Sequence, residues 1–258
     1  MILLLGGTED SRLIAEKLQE SNYRFIVSVV TEYGKYLIES NGSNDIVCGA
    51  LDEVGLVDLI EKKNITTVID ATHPFAAVIT NTTAAICSTK EIGYYRYERP
   101  ELKNLSGQSL ATATNFIEAV KVAKNMPGPW LFATGSKQLA EIIEAKFSPL
   151  EDLFVRVLPD PQVINKCYQM GLVARNIIAM QGPFSYDLNR AIYMQLGIKT
   201  MVTKDSGDTG GTAAKIEAAL ALGLNVVVIK RPQNQLASNS IFYSINELLC
   251  KLKGDYEK

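Results

Sequence analysis

A short apolar run followed by two glycines stands near the start of the sequence and is typical of a turn that binds phosphates. Residues 1–5 read MILLL, Gly6 and Gly7 follow, and a helical pattern begins after Thr8. Backbone amides at such a turn, together with the positive end of the helix dipole, attract an anion. Arg12 lies one helical turn further on and would clamp a phosphate. The alternative is that Thr8 only caps the helix and Arg12 is an ordinary surface residue.

The three-glycine fingerprint G-x-G-x-x-G of dinucleotide-binding folds is absent at this turn. The three glycines of that fingerprint allow a tight turn, a close approach to a pyrophosphate and close helix packing. Gly6 and Gly7 could provide the first two of these, but not the third. The second apolar run, FIVSVV, is followed by Thr31, near the place where NAD-binding folds usually carry an acidic residue for the ribose. Glu32 comes next, but Lys35 lies nearby, so this segment favours NADP.

The motif ATHPFA contains the single histidine of the sequence, His73, directly after the apolar run TTVID. Pro74 removes a backbone donor and favours an extended conformation at His73, with a helix starting near Phe75. His73 could orient a nicotinamide or donate a proton. It could equally bond to the backbone and shape the turn, and the sequence leaves both roles open.

Several cations follow the predicted strands of the second half of the sequence, and two more stand at the end of the first half. Because the carboxyl ends of parallel strands lie at one edge of a sheet, we expect them to converge on one rim. Such a rim suits a ligand with several carboxylates or phosphates, and the alternative is ordinary surface charge. These cations are Lys137, Arg156, Lys204, Lys230 and Arg231, with Arg96 and Arg99 in the first half.

A glycine-rich segment, KDSGDTGGTAAK, follows the strand KTMVT. It is not a Walker A loop, because no Gly-Lys pair stands at the required spacing. Its glycines would allow the backbone to approach a ligand or the facing domain, or they would form a flexible turn.

Short β-branched runs alternate with helical patterns along the whole chain, which predicts right-handed βαβ units and parallel sheets. The alternation of strands and helices begins again after a polar stretch at 98–112, which we take as the domain boundary. Pro127-Gly128-Pro129 is a competing candidate for the hinge. We therefore predict an α/β protein of two tandem Rossmann-like parallel-sheet domains with an interdomain cleft for ligands. Residues 1–100 would form the cofactor domain and 101–258 the domain on the substrate side.

Composition excludes several classes of function. The 258 residues are 47% hydrophobic and carry a net charge of −2, which gives no general attraction to nucleic acid or to an anionic membrane. The four cysteines are far apart and there is one histidine, so we expect no metal site. No apolar run is long enough to span a bilayer, and the simplest interpretation is a reduced, cytoplasmic protein.

Together these segments resemble the precorrin-6A reductase family of cobalamin biosynthesis, including its cobalt-precorrin-6A reductases. The motifs occur in the order of the family and read GGTEDSRLIA, DATHPFA, YRYERP, TGSK and TKDSGDTGGTAAKIEAA. The resemblance implies an NADPH-dependent oxidoreductase acting on a CH–CH group. It would reduce one double bond of (cobalt-)precorrin-6A, a polycarboxylated tetrapyrrole, to (cobalt-)precorrin-6B. Transient contacts with other enzymes of the corrin pathway are a further expectation.

The resemblance also implies roles for individual residues of these motifs. His73 is the candidate catalytic residue, and no residue is assigned to a metal. The predicted cofactor-binding residues are Gly6, Gly7, Thr8, Arg12, Thr31, Asp70, Ala71 and Thr72, of which Thr31 lies outside the motifs and is predicted from its place after the second strand. The predicted substrate-binding residues are Arg96, Arg99, Ser136, Lys137, Lys204, Ser206, Gly207, Gly210, Gly211, Lys215, Lys230 and Arg231, of which Lys230 and Arg231 lie outside the motifs and are predicted from their place after a strand.

Three other functions are compatible with parts of the pattern. A short-chain dehydrogenase is disfavoured, because none of the eleven tyrosines has a lysine four residues later. A nonenzymatic two-lobed sensor would bind a small anionic ligand without oxidising NADPH. Another nucleotide-dependent tetrapyrrole enzyme, such as a methyltransferase, would bind a methyl donor instead of a dinucleotide.

Overall fold

A computed structural model describes residues 1–40, 45–100, 109–207, 210–233, 236 and 240–256. Most of the predicted linker, residues 101–108, lies outside the described residues, as do residues 208 and 209 of the glycine-rich segment. The chain divides into two compact units. The first comprises Met1–Pro100 and Gln233–Lys258, and the second comprises Glu101–Pro232.

The first unit contains one six-stranded parallel sheet with helices connecting its strands. Its order is β3-β2-β1-β4-β5-β12, and the direction in which strands are added reverses between β1 and β4. In open α/β sheets, ligands bind beside the carboxyl ends of the strands at such a reversal. The strands are β1 (Ile2–Leu5), β2 (Phe25–Val29), β3 (Ile46–Cys48), β4 (Thr67–Asp70), β5 (Gly93–Tyr97) and β12 (Ile241–Phe242). The helices are α1 (Glu9–Glu20), α2 (Glu32–Glu39), α3 (Glu53–Lys62), α4 (Ala77–Thr89) and α10 (Ile245–Tyr256).

The central strand β1 is apolar at every position because both faces of the first sheet are covered. Ile2 and Leu4 pack on the side of α1 and α10, in a cluster that includes Leu18 and Leu252. Leu3 faces the opposite side, against residues of α3 and α4. Alternation of side chains along a strand thus places one run of residues in two separate cores.

The second unit is built on the same plan. Its sheet is also parallel and has the order β9-β8-β7-β10-β11-β6, so the reversal lies between β7 and β10. The strands are β6 (Leu110–Ala113), β7 (Trp130–Ala133), β8 (Leu153–Val157), β9 (Ile177–Ala179), β10 (Thr200–Lys204) and β11 (Asn225–Ile229). The helices are α5 (Phe116–Lys124), α6 (Leu139–Glu144), α7 (Pro161–Gln169), α8 (Tyr186–Gln195) and α9 (Thr212–Ala221).

Side-chain caps fix where many of the helices begin. Each capping residue has an extended backbone and accepts a hydrogen bond from an amide of the first helical turn, which would otherwise lack an intrahelical partner. Thr8 caps α1 in a reciprocal pair with Ser11. Five more helices begin after Thr31, Asp52, Asn115, Asp160 and Ser185.

The predicted α/β class with two Rossmann-like parallel sheets is confirmed, but residues 101–258 do not form one continuous domain. The first unit contains Gln233–Lys258 in addition to Met1–Pro100. Its strand β12 pairs with β5, with Ile241 opposite Arg96. Leu248 and Leu252 of α10 are completely buried in the first core, and this burial holds the segment there.

No helix of the described residues is long and apolar enough to cross a membrane. Those same parts of the chain also contain no group of three or more His, Cys, Asp or Glu side chains that could hold a metal ion.

Candidate functional site

The glycine turn after β1 has one closely packed glycine and one open glycine. The Gly6 amide donates to the Ser28 carbonyl at 2.8 Å. A Cβ at Gly6 would lie 3.2 Å from both Ser11 Oγ and Val27 Cγ1, so this position has little room for a side chain. Gly7 has a φ of +102°, and no atom lies within 4 Å of where its Cβ would be. Gly7 therefore provides both the backbone conformation and the open space that an approaching ligand requires.

Thr8 links the ends of β1 and β4 at the reversal of strand order. Its hydroxyl donates to the Ala71 carbonyl at 2.9 Å and accepts from the Ser11 amide at 3.1 Å. The Thr8 amide donates to Ser11 Oγ at 3.1 Å. The Thr8 amide is therefore not one of the turn's amides that points at an anion, because Ser11 Oγ already accepts its hydrogen. The amides of Gly7 and Glu9 donate to no acceptor in the described part of the chain.

Asp70 at the end of β4 is the centre of a buried polar network. Its carboxylate accepts from Arg96 Nη1 at 2.7 Å, Thr80 Oγ1 at 2.8 Å and Tyr94 Oη at 2.9 Å. The Thr72 amide and hydroxyl donate to the same carboxylate at 3.0 and 2.7 Å. Burial and the neighbouring Asp70 charge raise the pKa of Tyr94. Asp70 thus sets the conformation of the turn after β4 through its contacts with Thr72.

Arg96 and Arg99 do not present open charges on a cationic rim, which corrects the prediction for both residues. Arg96 is completely buried beside Asp70. Arg99 is 6% exposed and forms an ion pair with the buried Asp10 of α1. Both cations lie in the first unit and are neutralised by carboxylates, because an unpaired charge in that position would be costly.

The remaining predicted residues of the first unit lie at its surface or in tight turns. Arg12 is partly exposed on α1. Thr31 is exposed, and its hydroxyl accepts from the Gly34 amide at 3.0 Å. His73 is also exposed, and its Nδ1 accepts from the Phe75 amide at 3.2 Å. In the neutral imidazole this hydrogen bond places the proton on Nε2.

A second cluster of polar groups lies at the reversal of strand order in the second unit. Lys204 ends β10, and its Nζ donates to Gln138 Oε1 at 2.8 Å. Thr134 follows β7, and its buried hydroxyl has no hydrogen-bond partner among the described residues. Gly135 has a φ of +79° and open space at its Cβ position. Burial, assisted by the Lys137 charge, lowers the pKa of Lys204 to about 8.

The sequence prediction in this region named Ser136 and Lys137 but missed Thr134 and Gln138. Ser136 is partly exposed and Lys137 is exposed. The signal for Thr134 was its position directly after β7. Gln138 gave no comparable signal, because its contact with Lys204 depends on the pairing of β7 with β10.

The glycines of the segment after β10 are explained by local packing. The Ser206 and Thr212 hydroxyls lie 2.8 Å apart. A Cβ at Gly210 would lie 2.2 Å from Ser206 Oγ, so no side chain fits there. Gly207 and Gly211 have φ values of +73° and +65°. Contact of Ser206, Gly207, Gly210 or Gly211 with a substrate stays a prediction.

The other predicted cations of the second unit differ in their surroundings. Lys215 lies nearly buried in α9, and Lys230 is exposed directly after β11. Arg231 Nη2 lies 3.4 Å from Asp205 Oδ1. Since β7, β10 and β11 are parallel neighbours, the cations that follow or end these strands do share one edge of the second sheet. They are Lys137, Lys204, Lys230 and Arg231.

Comparisons with known proteins give a consistent result over nearly the whole chain. A family model described as precorrin-6x reductase CbiJ/CobK matches residues 1–253. The cobalt-precorrin-6A reductase of Priestia megaterium is 35% identical over 235 residues, covering 90% of this chain and 91% of that protein. The corresponding enzyme of Methanothermobacter thermautotrophicus is also 35% identical, over 252 residues, covering 96% of this chain and 82% of that protein.

A solved structure shows the same fold. The structure named CobK precorrin-6A reductase has a TM-score of 0.79 to this chain and covers 98% of it and 96% of its own chain. The sequence identity is 22%, so this similarity supports the arrangement of the elements rather than the identity of any site residue.

Proposed function

Because the chain belongs to the CbiJ/CobK precorrin-6x reductase family, whose members are oxidoreductases, we propose that it reduces one double bond of (cobalt-)precorrin-6A with NADPH. The product would be (cobalt-)precorrin-6B. The observation that carries the cofactor part of this proposal is the glycine turn beside Thr8, at the strand-order reversal of the first sheet.

The residues at that turn fit a dinucleotide. Gly7 leaves open space beside the backbone, and the Gly7 and Glu9 amides have no acceptor in the described ranges. These amides lie at the positive end of α1, where a pyrophosphate is favoured. Arg12 would add a charge-assisted contact from the same helix.

NADPH, when bound, supplies the hydride, so the protein itself must chiefly bind and orient the two reactants. Arg12 of α1, together with Thr31 and Lys35 of the segment that begins α2, is proposed to distinguish the 2′-phosphate from a free hydroxyl. His73 is the proposed group for orienting the nicotinamide or moving the accompanying proton. The hydrogen bond from the Phe75 amide to Nδ1 of His73 holds the imidazole ring in the turn that follows β4.

The second unit is proposed to bind the tetrapyrrole through its cationic edge, defined by Lys137, Lys204, Lys230 and Arg231. A ligand with several carboxylates loses hydration on binding, and fixed cations replace part of that solvation. Three of these residues are lysines, which act as point charges rather than as planar forks. The edge therefore suits carboxylates that differ in their orientation.

We also propose a cytoplasmic location, which is supported by the state of the cysteines. Cys48, Cys87, Cys167 and Cys250 are all free thiols in the structure. Unpaired cysteines are the usual state in a reducing compartment.

The test is to compare binding of NADPH, NADH and S-adenosylmethionine, and then to follow NADPH oxidation under anaerobic conditions with cobalt-precorrin-6A. We expect the tightest binding for NADPH, and oxidation that requires the tetrapyrrole. Binding of S-adenosylmethionine alone would indicate a methyltransferase instead. Binding of small carboxylates without any NADPH oxidation would favour the nonenzymatic sensor.

A further inference from the structure

Arg156 is a buried cation of the second unit. It lies near the carboxyl end of β8 and is 6% exposed. Its Nη1 donates to Asn189 Oδ1 at 2.8 Å, and its Cζ lies 4.3 Å from the centroid of the Phe184 ring. No acidic side chain pairs with it among the described residues. Arg96 and Arg99, the comparably buried arginines of the first unit, are each paired with an aspartate.

A guanidinium in this position loses hydration without gaining an opposite charge, which disfavours its charged form. Burial accordingly lowers the pKa of Arg156 from its ordinary value. Arginine nevertheless stays protonated in proteins, so the cost of burying it must be borne by the unliganded fold. An arginine that served only to stabilise the fold would be expected beside a carboxylate, as Arg96 is.

The two neighbours of Arg156 leave one particular edge of its guanidinium available for an anion. Phe184 covers a face of the group, and Asn189 accepts from Nη1. The Nε and Nη2 groups donate to no acceptor in the described part of the chain. These two groups form the side of the guanidinium that can contact both oxygens of one carboxylate.

Asn189 is held so that its oxygen, rather than its amide nitrogen, faces the guanidinium. Its Nδ2 donates to the Ser185 and Phe184 carbonyls at 2.8 and 3.2 Å. The Tyr193 hydroxyl lies 3.4 Å from Asn189 Oδ1. With its nitrogen engaged at the start of α8, Asn189 is fixed as an acceptor for Arg156.

The position of Arg156 in the sheet is compatible with ligand binding. Strand β8 is the parallel neighbour of β7, so their carboxyl ends lie at the same edge of the second sheet. Arg156 stands one residue before the end of β8, and Thr134 follows β7 directly. This is the edge where open α/β sheets bind ligands.

We propose that Arg156 is the anchor of a carboxylate subsite in the second unit, in which Nε and Nη2 bind one carboxylate of the ligand. The assignment of that carboxylate to a side chain of the tetrapyrrole rests on the proposed function. Asn189 and Phe184 are positioning residues, since they hold the guanidinium in place and leave this edge for the ligand.

The first experiment measures thermal unfolding of the full chain with and without citrate, with sodium chloride added to equal ionic strength. The variants are Arg156→Met and Arg156→Lys, and Arg190→Met, an exposed arginine of α8, is the control. Citrate should raise the melting temperature of the wild type and of the control, but not that of Arg156→Met. Without citrate, Arg156→Met should be at least as stable as the wild type, because it removes an unpaired buried charge.

An equal citrate response in Arg156→Met and the wild type would overturn the proposal. If Arg156→Met does not fold, Arg156→Lys decides the question, because it keeps the charge and loses the two-pronged contact. A reduced citrate response in Arg156→Lys supports the subsite. If citrate raises the melting temperature of Arg156→Lys as much as that of the wild type, the paired contact of Nε and Nη2 with a carboxylate is not used, and the proposal is contradicted.

The second experiment is steady-state kinetics with cobalt-precorrin-6A and NADPH. Arg156→Met should raise the KM for the tetrapyrrole about tenfold or more, the loss expected for a charge-assisted contact, and leave the KM for NADPH unchanged. A loss of NADPH affinity with tetrapyrrole affinity retained would place a cofactor phosphate at Arg156 and refute the carboxylate assignment. If the wild type shows no reductase activity, the proposed function fails, whereas the citrate result still tests the subsite by itself.

Discussion

Arg96 Nη1 lies 2.7 Å from Asp70 Oδ1, and the two residues stand directly opposite each other on the neighbouring strands β5 and β4. Both side chains are completely buried. Asp70→Asn would remove the short ion pair and leave the buried Arg96 with only the longer ionic contact of its Nε with Glu98 Oε1, at 3.4 Å. We therefore expect Asp70→Asn to lower the free energy of unfolding by about 3–5 kcal/mol, measured by urea denaturation.

The surface pair of Lys90 and Glu61 provides the control for this experiment. These side chains are 2.6 Å apart but partly exposed, so Lys90→Met should cost no more than about 1 kcal/mol. A similar loss of stability in Asp70→Asn and Lys90→Met would show that the buried pair does not support the fold in the way described.

Arg12→Ala should weaken NADPH binding more than NADH binding. Arg12 is partly exposed on α1, and the proposed function gives it a contact with a phosphate group of the cofactor. The expected loss for NADPH is roughly 1.5–3 kcal/mol, the range for a hydrogen bond to a charged group, measured by calorimetric titration. Arg24→Ala, at an exposed site before β2, should change neither affinity. Equal losses for both cofactors would mean that Arg12 does not contact the 2′-phosphate.

His73→Asn should lower turnover only modestly and leave the fold intact. An asparagine oxygen can accept the hydrogen bond that the Phe75 amide now donates to Nδ1, so the turn is preserved. His73→Ala, which has no acceptor, should be less stable in thermal unfolding. A loss of turnover of about a hundredfold or more in His73→Asn, without loss of stability, would instead identify His73 as a general acid.

Lys204→Met should be more stable than the wild type below pH 8. The pKa of Lys204 is lowered from 10.5 to about 8, mainly by burial and to a smaller extent by the positive charge of Lys137. The negative charge of Glu141 acts in the opposite direction. Between these values the unfolded chain binds a proton that the folded chain lacks, so wild-type stability rises with pH across this window. The cost of the buried ammonium is present in full below pH 8 and disappears above pH 10.5.

Melting temperatures of the wild type and Lys204→Met across this pH range give the measurement. The difference between the two proteins should shrink as the pH rises from 8 to 10.5. Lys199→Met is the control, since Lys199 is exposed just before β10. A stability difference that stays constant with pH would show that Lys204 does not titrate in this window.

The sheets could be predicted because their strands are apolar on both faces and are separated by helices of ordinary length. The runs that became β1, β4 and β10 were recognised for this reason. The short strand β12 was missed, since two residues carry no periodic signal and depend on pairing with β5, far away in the sequence. The helix predicted to begin at Phe75 begins at Ala77, because Pro74 and the hydrogen bond from the Ala76 amide to the His73 carbonyl form a turn first.

The ligand-binding roles predicted from the sequence stay predictions, but the structure shows which of these residues have a local structural role. Gly6 and Gly7 were identified from their position after an apolar run, and the structure gives each a packing or conformational reason. The sequence predicts Arg96 to be a ligand-binding cation, because it stands at the end of a strand and Lys137 also stands near a strand end. Only the register of β4 against β5 shows that Asp70 neutralises Arg96.

The return of Gln233–Lys258 to the first unit determines the order in which the two sheets can be completed during synthesis on the ribosome. All strands of the second sheet are present in the nascent chain once β11 has emerged. The first sheet, whose earliest strands are made long before, gains its edge strand only when β12 has followed. This pairing has a high contact order, which slows folding. The edge of β5 consequently has no strand partner while the second unit is synthesised, and an unpaired strand edge is a site where a nascent chain can aggregate.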